Sequence, residues 1–323
     1  MNPVISIVVP NWNGEDVIGE CLDSLRAQTF KDFEIIVVDN NSSDSSLDVI
    51  KSRYPEVKLI SLPENKGFCT AVNTGIINSQ GEYIAILNND TEVVPSWLEV
   101  LYKAFRDHPE ISFCSSKMLY YDKRDRINNA GIKIKRNGDS SSIGAGQPDG
   151  PFFEKEKEVF GACAGASIYR KRLFDDIGLF DESFFMYLDD VDLSFRAQLS
   201  GHRCLFIPKA IVYHKKGYSM QRHDKFSRLE VFLNSRNSVY CLLKNWPKSL
   251  LIKNMHRIFL RRLELVVRYT IQKMHKGTAI PFIKGKLVAY RNIGTILKQR
   301  RSVQSLKKVS DSYLASIMDK EFF

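Results

Sequence analysis

The sequence lacks a glycine-rich phosphate loop. No G-x-G-x-x-G follows the first strand-like run and no G-x-x-x-x-G-K-[ST] occurs anywhere, which disfavours a dinucleotide site and a P-loop. The six cysteines, Cys21, Cys69, Cys114, Cys163, Cys204 and Cys241, include no C-x-x-C pair; they read as reduced core thiols rather than a disulfide framework or a zinc site. No apolar run reaches the roughly 20 residues that span a bilayer, because Arg261, Arg262, Glu264 and Arg268 interrupt the best candidate. At 323 residues with 26% charged, the chain can bury a full core and is too polar to be mainly membrane-embedded. Met1 to Pro10 reads as a first strand rather than a signal peptide, so a cytoplasmic location is expected.

Acidic residues are scarce in the last third. Residues 1–224 hold 26 Lys/Arg against 32 Asp/Glu, whereas residues 225–323 hold 21 against 5, so all of the net +10 comes from the C-terminal part. This asymmetry divides the chain into an α/β domain over 1–224 and a basic helical region over 225–323. Between Lys253 and Lys273, the side chains of Lys253, Arg257, Arg261 and Arg268 share one helical face, and Met255, Phe259, Leu263 and Val266 share the opposite one. A basic amphipathic helix is expected to lie on an anionic membrane surface, which would make the protein peripheral on the inner face of the cell membrane; the other reading is a packed surface helix with solvated charges. Nucleic acid is not expected as a partner, since zinc-finger spacing and an RNA-binding aromatic signature are both missing and the acidic N-terminal part would repel a polyanion. Nothing in the pattern assigns an oligomeric state.

The N-terminal part alternates strands and helices. Val4–Val9 reads as a buried strand, Pro10–Gly14 as a turn and Glu15–Gln28 as a helix with Val17, Ile18, Leu22 and Leu25 on one face. Phe33–Val38 is a second strand running into Asp39-Asn40-Asn41-Ser42-Ser43-Asp44, and Leu47–Tyr54 is the next helix. Such repeats predict a mainly parallel sheet with right-handed crossovers. Asp39, at the end of the second strand, is placed to accept bonds from a ribose or base.

Two acidic clusters carry the chemistry. Asn88-Asn89-Asp90 follows the buried strand Tyr83–Leu87, at the edge where open α/β sheets bind ligands; the competing reading is a turn in which Asn and Asp bond their own backbone. Asp189, Asp190 and Asp192 crowd the start of a predicted helix, more carboxylates than a cap requires. His214 ends a third strand-like run, as a metal ligand or a buried strand-end histidine. Arg126–Glu158 is rich in Gly, Ser and Lys and is expected to be a mobile loop over the acceptor side; its Gly144-Ala145-Gly146 is too weak for a phosphate loop. The small residues of Gly161-Ala162-Cys163-Ala164-Gly165-Ala166 either let backbone approach a ligand or serve tight strand packing.

Taken in order, the Asn-Trp-Asn-Gly14 turn, Val37-Val38-Asp39-Asn40-Asn41-Ser42-Ser43-Asp44, Glu64-Asn65-Lys66-Gly67-Phe68 with Asn73 and Gly75, Asn88-Asn89-Asp90, Gly161–Ala166, Gly178-Leu179-Phe180-Asp181-Glu182 and Asp189-Asp190-Val191-Asp192 followed by His214 resemble the family 2 inverting glycosyltransferases of the GT-A fold, in particular their rhamnosyltransferase-like branch. The resemblance covers residues 1 to about 220. It implies a UDP- or dTDP-sugar donor held by Pro10, Asn11, Glu15, Asp39, Asn65, Lys66, Gly67, Asn88 and Asn89. It also implies Mn²⁺ or Mg²⁺ on Asp90 and His214, Asp190 as the base with Asp189 and Asp192 in support, and Gly161, Ala162, Cys163 and Gly165 beside the donor sugar. Asn88 departs from the family, which often has Asp there, but cations bound to substrate phosphates need only one or two protein carboxylates. The expected activity is sugar transfer, with rhamnose favoured, to a glycan or lipid-linked acceptor in bacterial surface-polysaccharide synthesis. Two alternatives stand beside it: a membrane-bound nucleotide-sugar-binding scaffold, and a processive synthase, whose Q-x-x-R-W motif and spanning helices are both missing here.

Overall fold

The structure is a computed structural model that describes residues 2–215, 224–269 and 277–318. Its strands are β1 (Ile5–Asn11), β2 (Phe33–Asp39), β3 (Lys58–Ser61), β4 (Tyr83–Leu87), β5 (Thr91–Val93), β6 (Ile111–Tyr120), β7 (Ile127–Asn129), β8 (Ile132–Ile134), β9 (Ser140–Ser142), β10 (Lys157–Val159), β11 (Ala166–Arg170) and β12 (Arg203–His214). The main sheet runs β10-β12-β6-β11-β4-β1-β2-β3, with β5 on β12 and β7 on β6; β8 and β9 form a separate pair. β3, β2, β1 and β4 are mutually parallel, β11 is antiparallel to both β4 and β6, and β6 pairs parallel with β12.

Both faces of the sheet are covered, as the continuous apolar runs of β1 and β4 require. Successive side chains point to opposite faces. Ile5, Ile7 and Val9 therefore join one core cluster together with α1 (Ile18–Arg26), while Val8, Ile84 and Ile86 join the other together with α3 (Gly67–Ile77). The chain order β1, α1, β2, α2 (Ser46–Arg53), β3, α3, β4 puts β2 and β4 on opposite sides of β1. That reversal of strand order opens a crevice at the carboxyl ends of β1 and β4.

Three elements differ from the sequence expectation. α1 starts at Ile18 rather than Glu15, because Gly14 carbonyl oxygen first takes the Val17 and Ile18 amides in a turn and the Glu15 amide is held by Asp44 Oδ2. Residues 126–158 are not a structureless loop. Ile127, Ile132, Ile134, Ile143 and Phe153 are buried there and organise β7 to β10, so isolated apolar residues outweigh the glycine and serine content. The helix expected from Lys253 is longer at its start, and Lys273 lies outside the described residues.

The remaining helices are α4 (Trp97–Asp107), α5 (Arg172–Ile177), α6 (Asp189–Leu199), α7 (Asp224–Asn245), α8 (Lys248–Val267), α9 (Ala279–Arg291), α10 (Ile293–Ser305) and α11 (Asp311–Ile317). The change from α/β to all-helical chain falls at residue 224, but the core crosses it: Tyr240, Cys241 and Leu242 of α7, with Trp246 just after it, pack in one cluster with Phe184, Val191 and Phe195. Among the described residues no helix is long and apolar enough to cross a membrane.

Candidate active site

One hydrogen-bond network joins the loops after β1, β2 and β4. Asn11 Nδ2 donates to Asp39 Oδ1 at 2.9 Å, Ser42 also donates through its hydroxyl to Oδ1 and through its amide to Oδ2, and Asn89 Nδ2 donates to Asn11 Oδ1 at 2.7 Å. Asn40 extends the network, donating to Asn65 Oδ1 at 2.9 Å and accepting from the Lys66 amide at 2.9 Å. Glu15 Oε2 accepts from the Ser45 amide, and Pro10 sits half-buried on β1 opposite Val38. The sequence-predicted nucleotide residues thus do meet at one sheet edge. Asp39 and Asn11 are fully buried and bonded to each other and to Ser42, and so brace the crevice floor. Gly67 has φ +86°, and a Cβ there would lie 2.5 Å from the Phe185 ring, so no other residue fits.

Asp90 and His214 meet through strand register. β5 pairs antiparallel with β12 with Thr91 opposite His214, which sets His214 Nε2 3.2 Å from Asp90 Oδ1. His214 Nδ1 lies 3.1 Å from Asn128 Oδ1, so the ring is held between the Asn128 amide on one side and the Asp90 carboxylate on the other. Asp90 Oδ1 is buried, and beyond the His214 ring it meets no hydrogen-bond donor among the described residues. A buried carboxylate oxygen and an imidazole nitrogen 3.2 Å apart can both serve as ligands to one cation. The donor set fits a hard divalent ion. Among the described residues no group of three or more metal-binding side chains forms, so such an ion would complete its shell with substrate phosphate and water.

Asp190 lines a cleft of about 400 Å³ with Asn88, Cys163, Gly165, Tyr187 and Asp189. Its Oδ1 accepts from the Val191 amide at 2.8 Å. Burial raises its pKa above the ordinary carboxylate value, and the amides of Val191 and Ala164 with the Cys163 thiol restrain the rise. Asp189, more deeply buried, is raised well above the ordinary value by burial and then by the neighbouring charge of Asp190. Asp192 differs in kind. Burial opposes its ionisation, but Lys244 Nζ at 2.6 Å, Arg196 Nε at 2.9 Å and Asn245 Nδ2 at 2.8 Å hold it below the ordinary value. It anchors the helix that carries Asp190.

That helix is presented by unusual backbone. Phe185, Tyr187 and Leu188 all adopt positive φ, 67°, 68° and 61°, each costing on the order of 1–3 kcal/mol. Asn237 of α7, fully buried, donates to the carbonyls of Phe184, Met186 and Tyr187, and Arg236 donates to those of Ser183 and Phe184. Lys244 also bonds Asp181 at 2.6 Å. The C-terminal helices therefore clamp the acidic segment. None of Asn128, Arg236, Asn237, Lys244 and Asn245 is apparent from sequence pattern; the spacing of seven between Asn237 and Lys244 was the one signal that they share a helix face. Gly161 and Ala162 are packed rather than exposed to the cleft, since a Cβ on Gly161 would collide with the Ser194 side chain, while Cys163, Ala164 and Gly165 line it. All six cysteines are free.

A mainly parallel sheet with flanking helices, a polar network at its strand-order reversal and a carboxylate pair beyond it define a glycosyltransferase of the GT-A fold. The profile of the family described as glycosyl transferase family 2 matches residues 6–178, more than half of the sequence, and the chain belongs to that family. It is 27% identical over 259 residues to the O-antigen biosynthesis protein RfbC of Myxococcus xanthus, a match covering 76% of this chain but only 20% of that protein. It is 25% identical over 306 residues to the N-acetylglucosaminyl-diphospho-decaprenol L-rhamnosyltransferase of Mycobacterium tuberculosis, covering 85% of this chain and 97% of that one. In fold it is similar to a mannosyltransferase of Pyrobaculum calidifontis in complex with GDP-Man and Mn²⁺, with TM-score 0.55, 16% identity and coverage of 99% and 89%. It is also similar to S. aureus TarS 1–349 in complex with UDP-GlcNAc, with TM-score 0.55, 17% identity and coverage of 98% and 92%.

Proposed function

We propose that this glycosyltransferase moves a sugar, rhamnose being favoured, from a UDP- or dTDP-sugar to a hydroxyl of a lipid-linked glycan in surface-polysaccharide synthesis, inverting the anomeric centre. The observation that carries the reading is Asp190: a carboxylate with a raised pKa, held in the wall of a cleft that Asn88 and Gly165 also line. It would take the proton of the acceptor hydroxyl as that oxygen attacks the sugar. A single displacement needs no protein nucleophile. The names of the O-antigen and diphospho-decaprenol relatives support the acceptor class.

Asp90 and His214 would hold Mn²⁺ or Mg²⁺, which supplies Lewis-acid stabilisation of charge on the leaving diphosphate. Asn88, Asn89, Asn65, Lys66 and Gly67 would contact the nucleotide above the floor braced by Asn11 and Asp39. Asp90→Ala is expected to abolish the metal-dependent part of nucleotide affinity, because the cation loses its only carboxylate in this pair. Calorimetry with UDP and dTDP, with and without Mn²⁺, reads this directly; unchanged metal-dependent affinity would place the cation elsewhere.

The membrane reading gains support from a feature that sequence pattern placed differently. On α8, Met255, Phe259 and Leu263 are 65%, 66% and 51% exposed, with exposed Lys253, Arg257 and Arg268 beside them, while Arg261 turns inward to Asp139 at 2.5 Å. An outward apolar stripe rimmed by cations suits an anionic lipid surface, at which the protein would sit peripherally on the cytoplasmic side. Phe259→Glu with Leu263→Glu is expected to release the protein from anionic vesicles, each lost insertion costing about 1.5–3 kcal/mol. Sedimentation with vesicles tests it, and wild-type protein that ignores them at low salt would contradict it.

A further inference from the structure

Behind the cleft wall that carries Asp190, α7, α8 and α9 line a second cavity of about 170 Å³. The transfer step makes no use of it. Leu188, Val191, Ser140 and Asn234 belong to both spaces, so the two adjoin on either side of the Asp190 segment. Phe195, Trp246, Leu265 and Phe282 make much of the lining apolar, yet Arg261, Arg262 and Lys286 also face it.

Their partners are unequal. Arg261 is neutralised by Asp139 at 2.5 Å and Glu264 at 2.7 Å. Arg262 donates to Ser238 Oγ at 3.3 Å and Gly138 O at 3.4 Å, and Lys286 donates to the same Ser238 Oγ at 3.1 Å and to Ser235 O at 3.0 Å. Both are half-buried, and among the described residues neither forms an ion pair. Burial, and then the nearby Arg262 charge, lowers Lys286 to about 7. Arg262 and Lys286 share one hydroxyl in a largely apolar wall, and the charge that offsets them there is Asp139, already paired with Arg261. An anion between them would satisfy both.

We propose that this cavity binds the phosphate of an acceptor diphosphate ester, with Arg262 and Lys286 on its oxygens and the ester's apolar chain along the Leu265 and Phe282 wall. The position suits an acceptor whose sugar must reach Asp190 from the side opposite the nucleotide loops. The assignment rests on the lipid-linked acceptor reading above, and a binding measurement without turnover lets the two fail separately.

Farnesyl diphosphate, inorganic pyrophosphate and UDP serve as probes in calorimetry on the full chain. Wild-type protein is expected to bind farnesyl diphosphate more tightly than pyrophosphate. Arg262→Met and Lys286→Met should each weaken farnesyl diphosphate binding by about tenfold or more, the scale of one charge-assisted hydrogen bond, and leave UDP affinity unchanged. Lys286→Arg should retain most of the affinity. Each Met variant should melt no lower than wild type without ligand, because a partly buried basic group with no ion pair of its own has been removed; a lower melting temperature would mean the two groups are structural and would overturn the site. Equal farnesyl diphosphate affinity in variants and wild type, or no binding by wild type, would also overturn it. Pyrophosphate binding as tight as farnesyl diphosphate would overturn the apolar-chain half of the assignment. Asp190→Asn should bind farnesyl diphosphate normally even where transfer is lost.

Discussion

Asp190→Asn is expected to lower the rate constant for transfer by about 10²–10⁴-fold, the usual worth of a positioned general base, with nucleotide affinity unchanged. The amide keeps the shape of the carboxylate and can still accept from the Val191 amide, but it cannot take the acceptor's proton. The pH profile gives an independent reading. Because burial raises Asp190, the acid limb of the wild-type kcat/KM profile should lie above the ordinary Asp value of about 3.9, with activity rising as pH increases and the base loses its proton. The variant should lack that limb. Single-turnover kinetics with a saturating nucleotide sugar would test both statements, and a variant with near-normal turnover would reject Asp190 as the base.

Lys244→Met should unfold the clamp around the acidic helix. Lys244 is 2% exposed and its ammonium lies 2.6 Å from both Asp181 and Asp192, the latter wholly buried. Removing the cation leaves Asp192 with Arg196 and Asn245 alone. Loss of one partner from a buried pair typically costs about 3–5 kcal/mol, a large share of a typical domain stability of about 5–15 kcal/mol. The pH dependence of stability fixes the cause. Asp192 has a depressed folded-state pKa, so its stabilisation is present above the unfolded value of about 3.9 and is lost as pH falls through the folded one. In Lys244→Met that acid-side loss should flatten. Urea denaturation at neutral pH and again near pH 3 would show both effects; a variant of wild-type stability would remove Lys244 from the clamp.

The two halves of the site were unequally legible in the sequence. Asp90 sits just past a short, wholly apolar strand, so its place at the sheet edge follows from strand pattern, and His214 reaches it because both flank paired strands β5 and β12. Asp190 stood out because three carboxylates exceed what a helix start needs. What pattern could not carry was partner choice across long separations. Asn128, which orients His214, lies 86 residues away in a segment whose composition suggested a loop. Asn237 and Lys244 sit on a helix whose inward polar face resembles a solvent-exposed one, since the carbonyls and carboxylates they satisfy belong to residues about 50–60 positions earlier. Asp39 shows the opposite case. Its strand-end position was apparent, but its internal bonds to Asn11 and Ser42 could be known only from the folded chain. The stripe on α8 likewise had the right periodicity, and only packing decided that its apolar side faces outward and Arg261 inward.

The most direct test of Asp190-based single displacement is the anomeric configuration of the product. The full chain would be incubated with Mn²⁺, a panel of UDP- and dTDP-sugars and a lipid-diphosphate glycan acceptor, and the transferred sugar's anomeric proton followed by NMR from the start of the reaction. Transfer from at least one donor with inversion, dependent on the divalent ion and lost in Asp190→Asn, is the expected result. Retention of configuration, or no transfer from any donor by a folded protein that binds the nucleotide, would contradict it.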